Sequence, residues 1–164
     1  MPPSVRSAAL LLALALVPAA ASSGPRVAGW VETAWLGDPP VALPARLDTS
    51  IGTSILGAAD IVLFDRIGSE WVRFAVGVRG GRETTLECPV VRMARDGEPP
   101  GPVTEHPVVR LRLCLAGKRA ETEFILADGA GGDYPLRVGR AFLGGDVLVD
   151  PARTFTASGA CARD

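Results

Sequence analysis

The chain of 164 residues lacks the residue sets that several large enzyme classes require. His106 is its one histidine, so hydrolases that use a histidine base have little to work with. Its place beside Pro107 at a strand entrance favours a surface position. No H-E-x-x-H motif, no closely spaced cysteine pair and no Gly-x-x-x-x-Gly-Lys loop is present, so neither a zinc site nor a nucleotide site is indicated. The sequence therefore predicts no metal and no cofactor.

Blocks of basic residues are also missing. The 17 basic and 18 acidic residues are mixed along the chain and give a formal net charge of −1. Proteins that bind nucleic acid neutralise a run of phosphates with clustered Lys and Arg. Nucleic acid is therefore not an expected partner.

Long apolar runs are confined to the N-terminus. Arg6 precedes an apolar stretch over 8–17 and then a run of small residues, which is the order of a secretory signal peptide. The apolar stretch ends at Pro18, short of the roughly 20 residues that cross a bilayer. We predict a signal peptide over 1–21 and one mature domain over 22–164. The expected location is periplasmic or secreted, with no membrane association after cleavage.

Cysteines are few, and an oxidising compartment makes a disulfide the expected use for them. Cys88 and Cys114 lie symmetrically about Gly101. A hairpin with its tip at that glycine places the two cysteines opposite each other, near the separation that a disulfide requires. We predict a Cys88–Cys114 disulfide. The alternative is that both remain reduced and pack as small apolar side chains.

The pattern of apolar and turn residues predicts an all-β fold in a mature chain of about 140 residues, the usual size of one domain. The stretch from Arg95 to Glu105 contains several glycines and prolines, Gly97 and Gly101 among them, and predicts a mobile loop. The glycine-rich stretch 128–133 also predicts a loop. Strands are predicted at 27–36, 41–47, 71–78, 84–91, 109–115, 121–127 and 147–149, and a helix only at 139–143.

With histidine and metal chemistry set aside, the candidate chemistry lies in carboxylates. Leu47-Asp48-Thr49-Ser50 ends an extended apolar segment. An Asp at the end of a strand, surrounded by hydroxyls and backbone amides, can hold a water as general base. The same three polar residues are also typical of a turn or a helix cap. The motif alone leaves both interpretations open.

A second motif lies far downstream, where Val138-Gly139-Arg140 leads into a short apolar helix. Together the two motifs resemble retropepsin-like aspartic endopeptidases, in which a hydrophobic-Asp-Thr-Gly loop is followed by an apolar pair, Gly-Arg and a short helix. The closer resemblance is to a bacterial branch labelled ATP-dependent zinc proteases. Gly29-Trp30-Val31-Glu32 is similar to that branch's opening motif, Trp71-Val72-Arg73-Phe74 to its next strand, and 148–151 to its ending.

This resemblance implies a closed β-barrel with one short C-terminal helix. It also implies a two-fold homodimer in which the Asp48 carboxylates of the two subunits share one proton and hold a water between them. Thr49 and Ser50 complete the catalytic loop, and Thr49 ties the two loops together. The implied flap over a peptide or protein substrate contains Arg95, Asp96, Gly97 and Gly101, and the implied supporting residues are Asp128, Gly139 and Arg140.

The chain departs from the family pattern around this presumed site. Ser50 stands where the family has Gly, Gly129 where the branch has Arg, and Arg137 where the branch has an apolar residue. A charge is costly to bury unpaired, so Arg137 is expected to reach solvent or to pair with Asp128 or Asp133. Two main functions follow: an aspartic endopeptidase, or a catalytically inactive domain that keeps the barrel to bind peptides or a protein. An exported structural β-domain is the third alternative.

Overall fold

A computed structural model of the protein describes residues 24–78, 81–96, 104–128 and 133–161. Most of this part of the chain is β-strand. Each strand predicted from the sequence has a counterpart. The strands are β1 (Arg26–Leu36), β2 (Val41–Leu47), β3 (Ser54–Arg66), β4 (Ser69–Val78), β5 (Arg82–Pro89), β6 (Arg92–Asp96), β7 (Thr104–Leu115), β8 (Lys118–Asp128), β9 (Leu136–Val138) and β10 (Val147–Thr154).

Six strands close into a barrel in the order β1-β2-β9-β3-β8-β7, and β7 returns to β1 through the pairs Trp35 with Cys114 and Leu36 with Leu113. β10 extends the sheet beyond β1, β6 extends it beyond β7, and β4 and β5 continue from β3. One short helix, α1 (Arg140–Leu143), follows β9, and a 3₁₀ turn spans Ser158–Cys161. Within the described residues neither helical segment is long and apolar enough to cross a membrane. The predicted all-β barrel with one short helix is confirmed.

The core fills the barrel with aliphatic and aromatic side chains. β7 illustrates the pattern that predicts it, because Val109, Leu111 and Leu113 are buried while Arg110 and Arg112 between them are exposed. A strand with one face in a core and one in solvent alternates in this way. Fully burying one such side chain stabilises the fold by about 1.5–3 kcal/mol. The largest buried rings belong to Phe74, Phe124 and Phe142.

The segment predicted as a mobile loop from Arg95 to Glu105 is in part a hairpin. Arg95 and Asp96 lie in β6, and Glu105 lies in β7 directly opposite Arg95. The Arg95 Nε atom donates a hydrogen bond of 2.8 Å to Glu105 Oε1. Opposite charges that face each other across two strands support their pairing. The predicted flap residues Gly97 and Gly101 lie outside the described residues.

The predicted Cys88–Cys114 disulfide is wrong. Cys114 is bonded to Cys161, with a Cα–Cα distance of 5.9 Å, and Cys88 is a buried free thiol. The prediction assumed that the strand carrying Cys88 pairs with the strand carrying Cys114. Instead β5 pairs with β4, which places Cys88 opposite Val72, and β7 takes β6 as its hairpin partner. Burial raises the pKa of the Cys88 thiol, so it behaves as a small apolar side chain.

Candidate active site

The candidate site forms where two neighbouring parallel strands, β2 and β9, end side by side. Their register places Arg46 opposite Arg137 and Leu47 opposite Val138. The Asp48 backbone N–H continues this pairing with a bond of 2.9 Å to the Val138 carbonyl. Because parallel strands present their carboxyl ends at the same edge, residues about 90 positions apart in the chain become neighbours. The Asp48 side chain is only 5% exposed at this edge.

Two groups of donors surround the Asp48 carboxylate. Its Oδ1 atom accepts hydrogen bonds from the Ser50 backbone N–H at 3.0 Å and the Ser50 hydroxyl at 2.5 Å. Its Oδ2 atom accepts from Arg137 Nε at 3.2 Å and Nη2 at 2.8 Å. Arg46 Nη2 lies 3.5 Å from the same Oδ2 atom, at ion-pair distance. Arg137 reaches solvent as expected, with a side chain that is 39% exposed, but its partner is Asp48 rather than Asp128 or Asp133.

These contacts determine the protonation state of the site. The hydrogen bonds from Ser50 and Arg137 hold the pKa of Asp48 well below its ordinary value of 3.8, against the smaller opposing effect of burial. A carboxylate that accepts several hydrogen bonds and faces a cation favours its charged form. In the single chain Asp48 is therefore an ionised carboxylate across the physiological range.

Hydrogen bonds from the start of α1 hold the loop after Asp48. The Arg140 guanidinium donates to the Thr49 carbonyl at 2.8 Å. The backbone N–H groups of Arg140 and Ala141 donate to the carbonyls of Ile51 and Gly52, each at 3.0 Å. The first N–H groups of a helix have no partner within the helix, so they are free to bind the loop. The loop thus enters the site with its backbone held at several points.

Gly139 is the contact point between this helix and the loop. A Cβ atom at Gly139 would lie 2.4 Å from the Gly52 carbonyl oxygen, which no side chain tolerates. The Gly139 N–H donates to the Ser54 hydroxyl at 3.1 Å, and Ser54 is fully buried at the start of β3. Only glycine allows the two segments to approach so closely. This gives the Gly-Arg motif a local physical reason.

The other predicted site residues lie further from Asp48 along the sheet. Asp128 ends β8 and pairs with Ala58, four residues beyond the start of β3. His106, which the sequence predicts at the surface and not in the site, is partly buried, with its Nδ1 atom 3.1 Å from the Leu126 carbonyl oxygen. Arg95 and Asp96 belong to the hairpin described above. The sequence marks Arg137 as a departure from the family pattern but does not indicate it as a site residue. Its one sequence signal was a charge between two buried residues.

Known proteins are similar to this chain over most of its length. The family model described as retropepsin-like aspartic endopeptidase RimB matches residues 27–159. A probable alpha-L-glutamate ligase of Shewanella halifaxensis (strain HAW-EB4) is 29% identical over 129 residues, covering 77% of this chain and 28% of the ligase. A probable alpha-L-glutamate ligase of Parasynechococcus marenigrum (strain WH8102) is 31% identical over 125 residues, which cover 74% of this chain and 26% of the ligase. The chain therefore spans only about a quarter of the length of these curated relatives.

A solved structure is also similar to this chain. It is the crystal structure of a Legionella pneumophila protein of unknown function, which superposes with a TM-score of 0.67 and is 32% identical. The match covers 80% of this chain and 98% of that one. With the family model spanning most of the sequence, the chain belongs to the RimB-like family of retropepsin-like aspartic endopeptidases.

Proposed function

We propose that this protein is an aspartic endopeptidase that acts as a homodimer, with Asp48 of each subunit activating a shared water. The observation that carries the proposal is the Asp48 half-site, in which an almost fully buried, ionised carboxylate ends a strand and its loop is fixed by Gly139 and Arg140. Such fixation supports catalysis, because a reacting group must be held in place before the substrate arrives.

The proposed chemistry needs two carboxylates and one proton between them. The ionised carboxylate accepts a proton from the water, whose oxygen attacks the peptide carbonyl carbon. The neutral carboxyl gives its proton to the carbonyl oxygen, which forms a tetrahedral diol. The carboxyl that took the water proton then passes it to the amide nitrogen, one hydroxyl of the diol returns a proton to the other carboxylate, and the C–N bond breaks to release the amine and the carboxylic acid. Each chain contains one Asp-Thr-Ser loop. A two-fold dimer supplies the second loop, because the symmetry brings the same patch of both subunits together.

A peptide in this site is proposed to bind in extended form, under the hairpin of β6 and β7. Strand addition of this kind uses backbone hydrogen bonds for affinity and side-chain pockets for selection. β6 pairs with β7 alone among the described strands, so its other edge is not used within that part of the chain. The Arg95–Glu105 ion pair joins the two strands beside the segment that connects them.

We further propose that the protein works in the periplasm or outside the cell, as its N-terminal sequence predicts. The Cys114–Cys161 disulfide supports this location, since disulfides form and persist in oxidising compartments.

Cleavage of an unfolded protein substrate tests the proposed activity. The purified protein is incubated with the substrate at mildly acid pH and compared with Asp48→Asn. We expect the variant to lose cleavage by about 10² to 10⁴-fold, the range for general acid–base groups. The matched control is Asp60→Asn, which makes the same chemical change at an exposed position whose left-handed φ of 51° asparagine tolerates. The control should cleave like the wild type.

Two results would contradict the proposal. One is cleavage that persists unchanged in Asp48→Asn. The other is a protein that remains monomeric at micromolar concentration by analytical ultracentrifugation, because one carboxylate cannot share a proton with itself.

A second candidate function is supported by a specific observation. Arg137 donates both of its bonds to the oxygen of Asp48 on which a proton or a water would lie. A domain in which this contact is permanent would bind peptides without cleaving them. It predicts no cleavage by the wild type, together with peptide affinity that survives in Asp48→Asn.

A further inference from the structure

All the acceptor positions of the Asp48 carboxylate are in use. A carboxylate offers about four lone-pair positions, two on each oxygen. Oδ1 accepts from the Ser50 N–H and hydroxyl, and Oδ2 accepts from Arg137 Nε and Nη2. A proton on either oxygen, or a water that donates to it, has to replace one of these donors.

The donors differ in how easily they can leave. The Ser50 N–H is a backbone group in the loop that Arg140 fastens through the Thr49 carbonyl. The Arg137 side chain is 39% exposed, so its guanidinium can turn toward solvent without being buried unpaired. Arg46 is 50% exposed, but at 3.5 Å it contributes charge rather than a hydrogen bond. Arg137 is therefore the donor whose departure opens Oδ2.

Within the described residues, the charged groups around Asp48 and its loop come from three elements and are all arginines. Arg46 belongs to β2, Arg137 to the neighbouring β9, and Arg140 to α1, where it binds the Thr49 carbonyl rather than the carboxylate. This positive surrounding opposes protonation of the site. In a dimer the second Asp48 favours protonation of the site, because two nearby carboxylates cannot both ionise easily.

We propose that Arg137 is a positioning residue that controls when Asp48 can share a proton: seated on Oδ2 it keeps the site ionised, and moved away it frees that oxygen for the proton or the water. This inference rests on the proposed endopeptidase function. Only one of the two carboxyls in an active pair is ionised, so activity ends on the alkaline side when the shared proton is lost. A guanidinium on Oδ2 lowers the pH at which the shared proton is lost.

The test compares Arg137→Leu with the wild type in two measurements. The first is the pH profile of kcat/KM for peptide cleavage, and the second is the titration of the Asp48 carboxyl followed by ¹³C NMR. We expect the alkaline limb of the profile and the Asp48 titration midpoint to move up together by about one to three pH units, the range for removal of an adjacent opposite charge. A purely structural role for Arg137 would lower activity at every pH without moving the limb.

The matched control is Arg46→Leu, which removes a charge near the same oxygen but no hydrogen bond. Its shift should be clearly smaller than that of Arg137→Leu. Should the leucine variant not fold, Arg137→Gln keeps a polar side chain of similar length without the charge and should give a shift of the same sign.

The outcomes separate this inference from the proposed function. A titration midpoint of Asp48 that is the same in the wild type and in the Arg137 variants overturns the role of Arg137, even when cleavage is seen. A midpoint that rises while no variant cleaves supports the control of ionisation by Arg137 and contradicts the endopeptidase proposal.

Discussion

Two buried acids, Asp48 and Glu32, occupy different surroundings in the same barrel. Asp48 is 5% exposed and Glu32 is not exposed at all. Glu32 accepts from five neutral donors: the N–H groups of Gly29, Thr156 and Ala157 and the hydroxyls of Thr156 and Ser158. Asp48 accepts from one residue of its own loop and from a guanidinium that is partly in solvent.

Both surroundings favour the charged form, but by different means. Burial raises the pKa of Glu32, and the bonds from Ser158, Gly29, Thr156 and Ala157 outweigh it, so the pKa lies below its ordinary value of 4.5. These donors are fixed parts of the backbone and of the segment after β10. The charged form of Asp48 depends on the hydrogen bonds from Ser50 and, in addition, on the Arg137 side chain, which can leave. A carboxylate with fixed neutral donors serves structure, whereas one with a removable cation can change its protonation state.

The largest expected change in the free energy of unfolding comes from substitution of Glu32. Glu32→Leu leaves several buried N–H groups and hydroxyls without an acceptor, at about 1–3 kcal/mol for each unsatisfied group. We expect the free energy of unfolding, measured by chemical denaturation, to fall by about 3 kcal/mol or more. Glu32→Gln keeps one carbonyl acceptor and should lose less. A loss below about 1 kcal/mol in the leucine variant would show that these bonds are dispensable.

The disulfide holds the donors of Glu32 in place and gives the next largest effect. Cys161 ends the 3₁₀ turn that follows Thr156, and its bond to Cys114 ties this segment to β7 across a separation of 47 residues. Closing a loop of that length restricts the unfolded chain by about 2–4 kcal/mol. Cys161→Ser should lower the unfolding temperature, while the Asp48 titration should not change.

Adding a reductant gives the control for this prediction. It should destabilise the wild type and leave Cys161→Ser unchanged, because Cys88 has no disulfide to lose. A wild type with the same unfolding temperature in both conditions would contradict it.

Strands in which apolar and polar residues alternate clearly, such as β7, can be predicted, because the alternation itself indicates which face is buried. The local pattern does not predict β3, because Asp60, with a positive φ, interrupts its apolar residues at the shift in register between Ala59 and Val62. It does not predict β6 either, because Arg92–Asp96 has little apolar character and its pairing depends on β7. Local pattern therefore predicts a strand where one face is buried, and fails where the partner strand decides.

The candidate site likewise contains features that the local sequence predicts and features that only the fold defines. The loop at Asp48 and the Gly139-Arg140 motif are recognisable because each is a short segment of defined chemistry. The Arg137–Asp48 contact joins residues 89 positions apart, through a register that only the closed barrel defines. The Cys114–Cys161 pairing also depends on the folded barrel. Cys161 lies beyond the last strand, and no pattern in the sequence relates it to β7.

The smallest expected effect concerns the stability that Asp48 itself contributes. Asp48→Asn removes a charged partner from Arg137, which remains partly solvated, so we expect a loss of about 1 kcal/mol near pH 7, well below that of Glu32→Leu. The pKa of Asp48 is lower in the folded state than its ordinary value of 3.8. Its contribution is therefore complete above that value and is lost as the pH falls through the lower folded pKa.

Denaturation of the wild type and Asp48→Asn at several pH values measures this dependence. As long as Arg137 is seated on Asp48, the difference in unfolding free energy should be constant from pH 7 to about pH 5 and should shrink on further acidification. A difference that grows in acid would mean that the folded state binds the proton on Asp48 more tightly than the unfolded chain does. That sign requires a second carboxylate beside Asp48 with an influence stronger than that of Arg137, as in a dimer whose shared proton is already in place.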